Sequence, residues 1–197
     1  MYKVISSLAA ALVAAVVFVL PAWAVADPSQ MVKAVTAEVV GIVNTKTGAN
    51  REAAIHQVLR NNFDWSYMAQ AALGTHWNKA SEQQRARFVA ALETTEARAY
   101  TERLAKLAEY SLTVDKVVAQ SNRVWTVDSL LTKAGGQPIR LEWEVRDSGQ
   151  GPRIADIKVA GISMFQIKRS EFQSYIQANG GAVEPLVKAL EVRAAAR

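Results

Sequence analysis

The side chains able to do covalent chemistry are few, and their spacing does not assemble a reactive centre. Gly161-Ile162-Ser163-Met164-Phe165 opens like a G-x-S-x-G nucleophile elbow, but Phe165 stands where the second glycine is required. The chain has no cysteine, so a thiolate nucleophile is excluded. It has two histidines, His56 and His76, and neither lies in an H-E-x-x-H frame. A zinc site would need two or three further ligands, for which the sequence offers no candidates. His56 is expected on an exposed helix face and His76 in a turn beside Trp77. Glu142 and Glu144 are close enough for paired-carboxylate catalysis. They alternate with Arg140 and Arg146, however, and that pattern reads as an ion-pair lattice on a solvated strand face. The double glycines at 135–136 and 180–181 suit a turn and a helix stop, not a phosphate loop. No catalytic residue, metal ligand or cofactor is assigned, and the expectation is that the chain is not an enzyme.

These residues sit behind a distinctive first segment. Met1-Tyr2-Lys3 precedes an apolar run from Val4 to Leu20, followed by Pro21-Ala22-Trp23-Ala24-Val25-Ala26. A basic start, an apolar core and small residues spaced A-x-A make residues 1–26 a secretory signal peptide. Cleavage fits after Ala24 or after Ala26. The second leaves Asp27-Pro28-Ser29 as a helix start. The run of 17 residues lies at the bottom of the range needed to cross ~30 Å of hydrocarbon, so a permanent anchor is the weaker alternative. Without a cysteine, no lipoprotein anchor is expected at the cut. Removing 26 of 197 residues leaves 171, enough for one domain (27–197) whose core needs no disulfides. Cleavage also removes Lys3 and no acid, leaving 22 basic residues against 18 acidic, a net charge of +4. That mild excess suits anionic surfaces or acidic partners. Without a Lys/Arg block or an aromatic-interleaved basic motif, it does not indicate nucleic acid. The expected location is a bacterial periplasm and the expected state a monomer.

The elements follow from periodicity. Asp27 caps a first helix with Pro28 at its start, and Met31, Val35, Val39 and Ile42 form its stripe. Thr45 to Asn50 breaks it. Arg51–Asn61 is a second helix, with Ala54, Ile55, Val58 and Leu59 inward. Asp64 caps a third, which runs to Leu73 and stops at Gly74. Ser81-Glu82-Gln83-Gln84 is a capping box launching a long helix, which Thr94-Thr95 could bend. Near residue 111 the period changes from 3.6 to 2. Strands are expected at 112–118, 124–133, 138–147 and 153–159, joined by turns short enough to make the neighbours antiparallel. Helices return at about 164–178 and 184–195. The expected class is α+β: a four-stranded antiparallel sheet covered by several helices.

One face of that sheet is apolar. Ile139, Leu141, Trp143 and Val145 share a side, as do Trp125, Val127, Ser129 and Leu131, and Ala155, Ile157 and Val159. The helices must cover this face, either packed tightly on it or held apart around a cavity for an apolar ligand. Periodicity does not distinguish the two.

Two stretches carry a resemblance. One is Tyr67-Met68-Ala69-Gln70-Ala71-Ala72-Leu73-Gly74-Thr75-His76-Trp77, continuing through Ala80-Ser81-Glu82-Gln83-Gln84-Arg85-Ala86-Arg87-Phe88. The other is Asp156-Ile157-Lys158-Val159-Ala160-Gly161-Ile162-Ser163-Met164, followed by Arg169-Ser170-Glu171-Phe172 and Gly180-Gly181. Together they resemble the MlaC-type periplasmic phospholipid-carrier family, also called toluene-tolerance auxiliary proteins, including its hopanoid-associated branch. Two departures stand out: Ala160 where many members carry an acid, and Arg153-Ile154 where a tryptophan is common.

The resemblance implies a small sheet wrapped by helices with lipid tails between them. It implies a phospholipid ligand, with hopanoid as the alternative. It also implies two partners, an outer-membrane lipoprotein complex and an inner-membrane ABC transporter. Granting it, Trp125, Val127, Leu131, Leu141, Trp143, Ile157 and Val159 are the expected sheet wall of the lipid cavity. Phe88, Leu92, Tyr100 and Leu104 are expected to face them, and Ile162, Met164 and Phe165 to form a mouth or gate. The rival from another class is an enzyme with an apolar pocket on a cone-shaped α+β fold. It would need an acid inside that pocket. The strand acids Asp115, Asp128 and Asp156 are expected to point off the Trp125–Trp143 face.

Overall fold

A computed structural model describes residues 27–196. The signal-peptide reading of residues 1–26, with its two cleavage positions, falls outside the described residues.

Asp27 accepts from the Ser29 N–H at 2.8 Å and caps α1 (Pro28–Thr45), with proline in the first turn. Its buried stripe is Val32, Val35, Val39, Ile42 and Val43. α2 (Gly48–Asn62) starts three residues earlier than its stripe suggests and buries Ile55, Val58 and Leu59. Asp64 caps α3 (Trp65–Leu73) by accepting from the Tyr67 N–H at 3.0 Å, and Gly74 ends it at a φ of 52°. A 3₁₀ turn, Gly74–Lys79, leads to Ser81 and Gln84, which make both bonds of the capping box of α4 (Glu82–Leu104). Helix α4 runs on through Thr94 and Thr95. Their hydroxyls donate back to the carbonyls of Ala90 and Ala91, and the helix continues as one.

The strands are β1 (Ser111–Ser121), β2 (Val124–Thr132), β3 (Ile139–Asp147), β4 (Pro152–Val159) and β5 (Ile162–Ser163), in sheet order β1-β2-β3-β4-β5, all antiparallel. The sheet therefore has five strands, not four. β5 pairs two residues with Val159 and Lys158, which is too short to show a period. It follows a two-residue turn in which Ala160 and Gly161 both have positive φ, 50° and 82°. α5 (Met164–Ala178) and α6 (Glu184–Ala195) complete the chain.

The helices lie on the apolar face. α1 covers β1 and β2, α3 and α5 meet β4, and α4 packs among α2, α3 and α6. The opposite face carries the expected ion-pair lattice. Asp128 meets Lys116 at 3.4 Å and Arg140 at 3.2 Å, and Glu142 meets Lys158 at 3.6 Å. One register differs from simple alternation. Val145 opposes Ile154, not Ala155, across an irregularity in the β3–β4 ladder. Ile154, fully buried, thus joins the apolar face in place of Ala155, which becomes the extra residue of a bulge.

Candidate functional site

The alternation of β2 and β3 brings Leu131, Leu141 and Trp143 to the centre of the apolar face, each under a tenth exposed. Trp143 would strand its indole N–H there, but it donates to Ser129 Oγ at 2.8 Å. Ser129 is itself 1% exposed. Above them α1 presents Val35, Thr36 and Val39. The Thr36 hydroxyl donates back to the Val32 carbonyl at 2.9 Å, so its polar atom is occupied within the helix. Leu59, Phe63, Tyr100, Leu104, Leu112 and Ile157 close the ring. They line a wholly apolar, partly open void of about 80 Å³.

A second void of about 20 Å³ lies beside it under α5, walled by Met68, Leu92, Met164, Phe165 and Phe172 among others. Phe63, Tyr100 and Ile157 line both voids and form the partition between them. The Tyr100 hydroxyl is pushed up to about 12 by burial and, secondarily, by the nearby Glu96 carboxylate, so it stays neutral. The rim of the second void is polar. Glu96 pairs with Lys168 at 3.2 Å. Asp156 accepts from the Ser163 hydroxyl at 2.6 Å and from the N–H groups of Ile157 and Phe165. Asp128 sits on the polar face, as expected. Asp156 departs from expectation by reaching a void wall, but its oxygens are committed to tying β4 to the start of α5.

The expected wall residues divide. Tyr100, Leu104, Leu131, Leu141, Trp143 and Ile157 meet at the larger void, and Leu92, Met164 and Phe165 at the smaller. Phe88 is packed edge-on against Phe172, with ring centroids 5.7 Å apart, and Val127 is buried in the core. Trp125 and Val159 are half-buried and line neither void, and Ile162 is 58% exposed. The α1 residues, Leu59, Phe63 and Leu112 were missing from the sequence reading. Helical period marked Val35, Val39 and Leu59 as inward-facing, but period gives no sign of which inward side chains border empty space, and Phe63 lies at a junction outside any period.

The two histidines line neither void. His56 is half-buried, not exposed, and meets Glu93 at 2.9 Å. His76 lies in the 3₁₀ turn, where its Nδ1 is buried without a partner. No group of three or more metal-ligating side chains occurs among the described residues. No described helix is long and apolar enough to cross a membrane.

An antiparallel meander roofed on its apolar face by helices, with apolar voids in the seam, defines an α+β domain built around an apolar interior. A family model described as "MlaC protein" matches residues 33–192, and the chain belongs to that family. A solved phospholipid-binding protein from Ralstonia solanacearum, in complex with a phospholipid, shares the fold. Its TM-score is 0.76 at 21% identity, over 86% of this chain and 98% of that one. No curated protein matches the chain by sequence.

Proposed function

We propose that the chain is a periplasmic carrier that holds a phospholipid by its acyl tails between sheet and helices. In this reading it shuttles the lipid between an outer-membrane lipoprotein complex and an inner-membrane ABC transporter. The observation that carries the reading is the wholly apolar void between Trp143 and α1, in a chain of the MlaC family. The bound phospholipid of the Ralstonia protein, which has the same fold, supports it.

The energetics give the job its shape. A diacyl phospholipid of roughly 30 methylenes would cost about 24 kcal/mol to expose to water, at ~0.8 kcal/mol per methylene. Crossing an aqueous gap therefore requires a dry host about as good as a bilayer and not much better. Binding and release make up the whole activity, and no step calls for a nucleophile or a metal.

The void of about 80 Å³ is well below the ~300–1,000 Å³ of ordinary ligand pockets, so whole tails enter only if the roof moves. α1 over β1 and β2 is the roof, and the Phe63–Tyr100–Ile157 partition is the internal wall whose displacement joins the two voids.

Transfer of a fluorescent phospholipid between donor and acceptor vesicles tests this. The mature protein is expected to accelerate transfer. Val39→Phe, which fills the void from α1, is expected to stay folded and to lose about tenfold or more of the acceleration. Wild-type transfer by a folded Val39→Phe variant would place the tails elsewhere.

A further inference from the structure

A third concavity is unlike the other two. At the hairpin end of the sheet, between the β1–β2 and β3–β4 turns and the α2–α3 junction, lies an open cleft of about 760 Å³. Three acids line it, and each is occupied. Asp64 accepts from the Tyr67 N–H, Asp147 from the N–H groups of Gly149 and Gly151, and Glu93 from His56 and Arg60. Of the remaining arginines, Arg146 pairs with Glu144 at 3.0 Å and lies over the Tyr67 ring. Arg123 and Arg153 have no carboxylate within 4 Å among the described residues.

Both are placed at a cost. Arg153 stands directly opposite Arg146 in the β3–β4 ladder, an unfavourable like-charge register. Its guanidinium is turned to the last carbonyls of α2, at 3.0 Å from that of Asn61. Arg123 occupies the turn with a φ of 64°, a left-handed conformation that favours glycine, and its guanidinium reaches over the β3–β4 turn near Gly149. The turn thus holds the Arg123 side chain at the lining of the cleft in spite of the backbone strain.

We propose that this cleft is a phosphate site, with Arg123 and Arg153 as its cationic donors. Phe63 lines the cleft and both apolar voids, so a phosphate held here sits one side chain away from the space for tails. The assignment of that phosphate to a lipid headgroup rests on the carrier reading, whereas the anion site itself does not.

Calorimetric titration of the mature protein at low ionic strength separates the two. The probes are sn-glycerol 3-phosphate, monomeric dihexanoyl phosphatidylglycerol, and dihexanoylglycerol, which has the same tails and no phosphate. The wild type is expected to bind the phosphatidylglycerol about tenfold tighter than dihexanoylglycerol. Arg123→Gly relieves the left-handed turn and keeps the fold. It is expected to erase that advantage and leave dihexanoylglycerol binding unchanged. Arg153→Gln is expected to do the same, with circular dichroism checking the end of α2. Arg123-dependent binding of glycerol 3-phosphate without any binding of dihexanoylglycerol would keep the anion site and remove the lipid. The proposal is overturned if the wild type shows no preference for either phosphate probe, or if Arg123→Gly binds both as the wild type does.

Discussion

Ser129 and Trp143 show how a polar pair can serve an apolar wall. The indole N–H is buried, and its partner is a hydroxyl two strand positions from Leu131 on the same face. Ser129→Ala leaves that N–H unpaired and is expected to cost about 1–3 kcal/mol in urea-induced unfolding. Ala160 is the converse case, a residue less suited to its place than its alternatives. At a φ of 50° before Gly161, it occupies a turn position that Asn and Asp accept more readily. Ala160→Asn is expected to stabilise the chain by about 0.5–1 kcal/mol, read as a raised midpoint of unfolding. At this scale the sequence was legible for Leu131, Leu141 and Trp143, because a period of 2 fixes which way a strand residue points. That Val39 and Leu59 border a void was not legible, and Phe63, at the α2–α3 junction, has no period to place it. Whether an inward helix residue touches a neighbour or a void depends on how two elements meet.

Among the elements, α4 is the spine, and a charge clamp fixes it to α6. Arg87 reaches Glu184 at 3.0 Å and Glu191 at 2.6 Å. The Gln84 amide and Arg87 hold Glu184 below the ordinary glutamate value of 4.5, and Arg87 does the same to Glu191. Both carboxylates thus titrate lower in the folded chain than in the unfolded one. Their contribution is complete above 4.5 and drains away as pH falls through that value toward their depressed folded values. The thermal midpoints of the wild type and Arg87→Gln are expected to differ near neutral pH and to converge in acid. Parallel curves would mean that the clamp contributes no pH dependence. The four principal strands and six helices follow from the residue pattern, because caps and period changes are local signals. The bulge at Ala155 and the two-residue β5 have no such signal. A one-residue slip leaves composition untouched and is decided by Val145 meeting Ile154 across the ladder.

At the scale of the whole molecule, two small voids lie in the apolar interior of the described residues, the larger roofed by α1 and the smaller lying under α5, with Phe63, Tyr100 and Ile157 between them. On the carrier reading proposed above, capacity is stored as a seam that parts, instead of as a standing tunnel. The hydrophobic effect closes the seam over nothing and opens it for a chain that offers equivalent apolar surface. Amide exchange of α1 is accordingly expected to slow several-fold in the lipid-loaded protein relative to the delipidated one, because tails under the roof oppose its opening. The family was legible in two motifs. The size of its interior was not, since cavity volume is set by how the layers sit on each other. The most direct measurement is native mass spectrometry of the mature protein purified without detergent, beside Val39→Phe. The expected result is a wild-type population heavier by the mass of one phospholipid, with that population lost in the variant. A wild type that carries no lipid, even after incubation with phospholipid vesicles, would contradict the carrier.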